Sequence, residues 1–178
     1  MVASVWLQPI GGERKILRDL IARLAAEHGT MPFEPHLTVC TIANPTPQTA
    51  QAAADYIATC RTLPLPVRKT GLLHSPAVPF RAVTIGVENT PDLRRFRETL
   101  RTLTGANELV EPHISLLYTI GSDQRRTAWS GDEQKLRTIA ADCENRLAAS
   151  RFLLDRPILV APDGDWTNIA SWTTIRQF

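Results

Sequence analysis

A chain of 178 residues with 43% hydrophobic side chains has room for one well-buried domain, and a net charge of only +2 leaves no strong electrostatic case for bulk nucleic-acid or membrane-surface binding. No apolar run approaches a transmembrane length, and the apolar stretch at 1–7 is too short, and lacks the basic start, for a signal peptide. The three cysteines, Cys40, Cys60 and Cys143, are odd in number and far apart, which argues against a disulfide framework or a Cys-rich zinc site and points to a reducing cytoplasm.

In chain order, Val2–Gln8 reads as a strand with Val5 and Leu7 on one face and Ser4 and Trp6 on the other, broken by Pro9, Gly11 and Gly12. Residues 13–27 turn helical, with Ile16, Leu17, Leu20, Ile21 and Leu24 as the apolar stripe and Gly29 as the stop. A strand is expected over His36–Ala43, a proline-rich turn over 44–47 and an Ala-rich helix over Gln48–Cys60. Short strand pieces at Leu65–Lys69 and Leu72–His74 flank Gly71, a loop with two prolines spans Ser75–Pro79, and Phe80–Val87 alternates as a strand. Thr90 caps a helix with Pro91 at its first position and Leu93, Phe96, Leu100 and Leu103 on its buried face. A polar loop, Gly105–Glu111, leads to a second strand beginning at His113. A helix over Asp132–Leu147 directs Leu136, Ile139, Ala140, Cys143 and Leu147 inward, and strands at Arg156–Ala161 and Ser171–Arg176 follow, separated by the turn Pro162–Asp165. Strand, helix and strand thus recur in Val2–Ala43 and Phe80–Thr119, and no linker divides the chain. The expectation is one α+β domain over 1–178, built as two lobes with mainly antiparallel sheet.

Both copies end in the same six-residue pattern. Glu34-Pro35-His36-Leu37-Thr38-Val39 and Glu111-Pro112-His113-Ile114-Ser115-Leu116 each read Glu-Pro-His-apolar-hydroxyl-apolar. Proline fixes its own φ and pushes the preceding residue into extended geometry, so each copy starts a strand. Alternation then sets His36 beside Thr38 and His113 beside Ser115, with Leu37, Val39, Ile114 and Leu116 as the apolar back. Facing each other, the copies bring two imidazoles and two hydroxyls to one cleft.

Two imidazoles suit acid–base cleavage of a phosphodiester: one takes the proton of the attacking water and the other protonates the leaving oxygen. Thr38 and Ser115 can donate hydrogen bonds to phosphate oxygens, so the developing charge needs no metal. Two rival chemistries stay open on the residues alone. A two-His zinc site has no third ligand at a fixed spacing, but Glu34 and Glu111 lie on the same side as the histidines and allow a carboxylate-plus-His metal site. A serine nucleophile is less attractive, because neighbours two apart on a strand rarely present the hydroxyl in line with the ring edge.

The paired His-x-Thr-x and His-x-Ser-x tetrapeptides resemble those of the 2H phosphoesterase superfamily. Ser4-Val5-Trp6-Leu7-Gln8-Pro9, Phe33–Val39, Pro112–Tyr118 and Ser171–Ile175 are similar to its plant and yeast cyclic phosphodiesterase branch, a likeness spanning nearly the whole chain. The resemblance implies a bilobal fold with a pseudo-two-fold axis, a central cleft and metal-free hydrolysis. The substrates it implies are ADP-ribose 1″,2″-cyclic phosphate, opened to the 1″-phosphate, and nucleoside 2′,3′-cyclic phosphates, opened to 2′-phosphates. It implies catalytic roles for His36 and His113, phosphate-binding roles for Thr38 and Ser115, and a site role for Tyr118, although strict alternation sets Tyr118 on the face opposite His113. Trp6 is a candidate for stacking on a base or ribose, with a core-edge tryptophan as the plain alternative. Phe80 is read as core and Arg81 as solvent-facing, and His28 and His74 lack motif context. The chain departs from the plant members in having no cysteine in the loop Thr104–Val110 before the second motif, so a redox-controlled lid is not supported, and in a longer segment at Gly121–Gly131.

The expected protein is a monomeric, cytoplasmic enzyme acting on a small cyclic nucleotide, with no cofactor, no metal, no membrane contact and no stable nucleic-acid complex. Two rivals remain: an enzyme of RNA ends or 2′-5′ linkages, which calls for a long basic groove, and a non-catalytic nucleotide-binding module.

Overall fold

The computed structural model, which describes residues 2–106, 110–162 and 168–178, has seven strands and four α-helices among the described residues. The first unit is β1 (Val2–Pro9), α1 (Gly12–His28) and β2 (Leu37–Ala43), followed by α2 (Pro47–Thr59) and β3 (Leu65–His74). The second is β4 (Val83–Val87), α3 (Pro91–Thr104) and β5 (His113–Leu117), followed by α4 (Glu133–Arg146), β6 (Arg151–Pro162) and β7 (Trp172–Gln177). Local chemistry fixes the helix ends. Gly29 closes α1 in the left-handed region at φ 66°, donating its N–H to the Ala25 carbonyl. The Thr90 hydroxyl accepts from the Leu93 N–H with Pro91 at the first turn, and the Asp132 carboxylate accepts from the Lys135 N–H to start α4.

All pairings are antiparallel, in the order β1-β2-β5-β4-β3-β6-β7, and β1 also pairs with β6. The run β2-β1-β6 in one half is matched by β5-β4-β3 in the other, so a pseudo-two-fold relates β1-α1-β2 to β4-α3-β5. The two motif strands meet at one register pair, Leu37 with Ile114. Each unit's helix reaches across this junction: α1 packs on β5, and α3 packs on β2. Leu37, Val39, Ile114 and Leu116 are fully buried on the core side, each contributing roughly 1.5–3 kcal/mol by leaving water.

Both motif strands carry a bulge at the same place. Trp6 pairs with Thr38 and Val5 with Cys40, leaving Val39 unopposed. Thr84 pairs with Ser115 and Val83 with Leu117, leaving Leu116 unopposed. An extra residue in a strand turns everything after it to the other face. Cys40 and Leu117 therefore join the core, and Thr41 and Tyr118 come round to the side of the histidines.

Several expectations are corrected. Ile16 is 50% exposed and Leu103 is 43% exposed, because each lies at the margin of its helix's stripe. Pro9 ends β1 rather than breaking it. β3 runs unbroken through Gly71, whose φ of 152° a glycine accepts without strain. Phe80 and Arg81 belong to a 3₁₀ turn at Pro79–Arg81, so β4 begins at Val83, and β6 begins at Arg151 rather than Arg156. Residues 163–165 of the turn expected at Pro162–Asp165, and residues 107–109 of the loop expected at Gly105–Glu111, lie outside the described residues.

Candidate active site

The two motifs build the same clamp. In each, the backbone carbonyl two residues before the histidine meets the ring: Glu34 O lies 2.7 Å from His36 Nδ1, and Glu111 O lies 2.8 Å from His113 Nδ1. A carbonyl can only accept, so Nδ1 carries the proton in both rings and Nε2 is the bare nitrogen of each neutral imidazole.

One cleft of about 320 Å³ gathers His36, Thr38, His113, Ser115, Tyr118 and Trp6, all six residues singled out from the sequence. Ser4, Thr41, Phe80, Arg81 and Trp172 complete most of its wall. Its volume is at the low end for a small-molecule site, the size for one nucleotide-like ligand.

An aromatic train joins the motifs. Trp6 lies flat on His36, with ring centroids 3.6 Å apart and planes 10° from parallel. Phe33 stands edge-on to His36 and stacks on Tyr118 at 3.6 Å, and Phe80 and Trp172 meet Tyr118 edge-on. The Tyr118 hydroxyl lies beside Ser115, whose own hydroxyl donates to the Phe80 carbonyl at 2.9 Å.

The electrostatics follow from this packing. His36 is 5% exposed, and burial pushes its pKa down to about 4; the Glu34 carbonyl opposes this, and a charge on His113 adds to it. His113 is half-buried and is also lowered, by burial first, with the Arg81 and Arg97 guanidiniums adding to the effect against the Glu111 carbonyl. Burial drives the Tyr118 phenol well up, so it stays a neutral hydrogen-bonding group. Near neutrality the cleft thus holds two uncharged imidazoles.

Glu34 does not share the cleft. Its carboxylate accepts hydrogen bonds from Arg14 and Arg18 of α1, so only its backbone serves His36. No group of three or more metal-ligating side chains occurs among the described residues. Arg81, expected at the solvent face, lines the cleft because the 3₁₀ turn re-aims it, and Phe80 is wall rather than core for the same reason. Thr41 was missed: strict alternation assigns it to the core side, and only the bulge at Val39 turns it round to meet the Ser4 hydroxyl at 3.1 Å. The same device at Leu116 resolves the position of Tyr118. Trp172, inside the stretch Ser171–Ile175 that carries part of the resemblance, joins the cleft wall without having been expected there.

No protein-family description and no curated protein matches the chain. Solved structures do. Escherichia coli LigT complexed with phosphate is 14% identical with a TM-score of 0.56, over 99% of this chain and 96% of that one. The same protein complexed with ATP is 13% identical with a TM-score of 0.58, over 100% and 98%. A further structure described as a phosphoesterase is 12% identical with a TM-score of 0.58, over 98% and 96%. At such identities the likeness is one of fold, and it extends from end to end: the chain has the fold of LigT.

Proposed function

We propose that the protein is a metal-independent phosphodiesterase that hydrolyses cyclic phosphodiesters, with His36 and His113 as its acid–base pair. The observation that carries this reading is the doubled clamp: two imidazoles, each with Nδ1 tied to a carbonyl and Nε2 left for proton transfer, lining one cleft. One ring accepts a proton as the water oxygen bonds to phosphorus. The other, protonated, delivers its proton to the leaving ribose oxygen as the old P–O bond breaks. One water is consumed, and the ring opens to a monoester. Thr38 donates to a non-bridging phosphate oxygen, and Ser115 does so by exchanging its Phe80 carbonyl partner for the phosphate. Tyr118, neutral and beside Ser115, flanks that hydroxyl in the cleft.

The substrates proposed are ADP-ribose 1″,2″-cyclic phosphate and nucleoside 2′,3′-cyclic phosphates. A cleft sized for one nucleotide supports them, as does the capture of phosphate, ATP and 3′-AMP by LigT in the same fold. The test is turnover of these compounds by purified protein in excess EDTA, with 2′- and 3′-phosphate products resolved. Ring opening that survives the chelator and is lost in His36→Ala and His113→Ala supports the reading. Full activity in either variant, or activity abolished by EDTA and restored by a divalent ion, overturns it.

A further inference from the structure

The pseudo-two-fold makes Trp6 and Thr84 equivalent, and this is where the two histidines come to differ. Trp6 of β1 pairs with Thr38, two residues past His36; Thr84 of β4 pairs with Ser115, two residues past His113. In the first copy the large ring lies flat on the imidazole, and Trp6 is itself only 6% exposed, packed with Ile158 and Val160. In the second copy the small hydroxyl side chain leaves a cavity of about 220 Å³, lined by Thr84, His113, Arg81, His74 and Glu111. One histidine is sealed under an indole; its twin stands between two open spaces.

This has a first consequence for Trp6. One face of its indole is taken by His36, and the ring is almost wholly buried, so it offers a substrate base little surface on which to stack. Its contact is with the catalytic ring.

We infer that Trp6 is a positioning residue that divides the labour of the two histidines: stacked on His36, it holds that ring uncharged as the base for the attacking water, while His113, with Thr84 in the equivalent place, is the acid that protonates the leaving oxygen. The inference rests on the hydrolytic reading of the cleft.

The charges around each ring agree with this division. Around His36 are the Glu34 backbone carbonyl, the Glu34 carboxylate outside the cleft and tied to Arg14 and Arg18 of α1, and His113 and Tyr118 across the cleft. Facing His113 are Arg81 from the 3₁₀ turn, Arg97 from α3, and Glu111 and His74 on the second cavity's wall. A phosphate bound between the rings offsets the two guanidiniums, and the half-buried ring regains a proton at less cost than the sealed one. Because kcat/KM reports the free enzyme, its pH profile rises with deprotonation of His36 at about 4 and falls with deprotonation of His113 below the ordinary value of 6.5, giving an optimum on the acid side of neutrality.

An indole acts on an imidazole in two opposing ways. It excludes water, which disfavours the cation, and it presents a π face, which favours it. The inference requires exclusion to win, and titration decides. Histidine ring signals are followed by NMR between pH 3 and 9 in the native protein, assigned with His36→Gln and His113→Gln, and in Trp6→Met and Trp6→Phe; kcat/KM is measured over the same range. Expected are a His36 midpoint below that of His113, a rise of the His36 midpoint by about one pH unit or more in Trp6→Met, and its return to near the native value in Trp6→Phe. The acid limb of kcat/KM moves with it, and the His113 midpoint stays in place. A His36 midpoint that falls in Trp6→Met shows the π face holding the proton and overturns the inference, as does an acid limb that survives in His36→Gln. Should Trp6→Met fail to fold, the native midpoints and the two glutamine profiles still decide the roles. No turnover by the native protein, with the midpoints split as expected, removes the hydrolytic reading and the assigned roles but leaves the effect of Trp6 on His36.

Discussion

Replacing His36 by glutamine should flatten the protein's stability in acid. In the folded state burial holds the imidazole's pKa at about 4, against 6.5 for the exposed ring of an unfolded chain. Between those values the unfolded chain binds a proton that the native state refuses, so stability falls as pH drops through 6.5 and levels off below about 4. At about 1.4 kcal/mol per tenfold change in proton affinity, the gap is worth about 3 kcal/mol. That is a large part of the roughly 5–15 kcal/mol that a domain of this size possesses. The assay is urea unfolding of both proteins at half-unit steps from pH 7.5 to 3.5. At pH 7 the variant is the less stable, because it loses the Trp6 stack and weakens the bond to the Glu34 carbonyl. By pH 4 the difference narrows by about 3 kcal/mol, or reverses. Titrating groups remote from His36 are common to both proteins and cancel in the comparison; His113, which acts on His36, is the one coupled group. A difference that stays constant across this range refutes the claim that the ring is buried uncharged.

Three further substitutions probe the scaffold. Tyr118→Phe removes the hydroxyl beside Ser115 but keeps the ring against Phe33; a loss of roughly tenfold in kcat is expected, with stability lowered by about 1 kcal/mol, measured by steady-state kinetics and urea unfolding. Glu34→Gln keeps the backbone carbonyl that His36 uses and loses only half-exposed ion pairs to Arg14 and Arg18, so activity stays within about threefold and stability within about 1 kcal/mol; a drop of a hundredfold would return the carboxylate to the chemistry. Arg97→Met takes away the buried guanidinium that donates to the Val39 carbonyl at the β2 bulge and to the Val110 carbonyl before the second motif, leaving two acceptors short; a loss of about 2–3 kcal/mol in urea unfolding is expected.

The duplication was legible because it is local. Proline, histidine and alternation act within six residues, and the sequence alone places Leu37, Val39, Ile114 and Leu116 in the core, where they lie. The bulges were not legible, because an unopposed residue is defined by the strand beside it: nothing in Val39-Cys40-Thr41 or Leu116-Leu117-Tyr118 announces that Thr38 and Cys40 face consecutive residues of β1, or Ser115 and Leu117 consecutive residues of β4. Long-range pairing also hid the start of β6. Arg151–Asp155 carries charges at alternate ends of an apolar run, and Arg156 kinks to a φ of 51° before Pro157, yet the strand pairs with β3 on one edge and β1 on the other. Arg81 and Trp172 reach the cleft by tertiary placement, which a single strand's pattern does not encode.

The two copies share their backbone device and differ in what surrounds it. Clamp and bulge recur because both are made of main chain: a carbonyl two residues back, and one extra residue three places after the histidine. A symmetric pair of rings is nonetheless poorly suited to a reaction that needs one proton taken and one given, since identical surroundings would give both rings the same affinity for it. Side chains supply the difference without disturbing the frame. An indole at one β-strand position and a threonine at its equivalent change the water around each imidazole, while the strand register, the apolar backs and the crossing helices remain common to both halves.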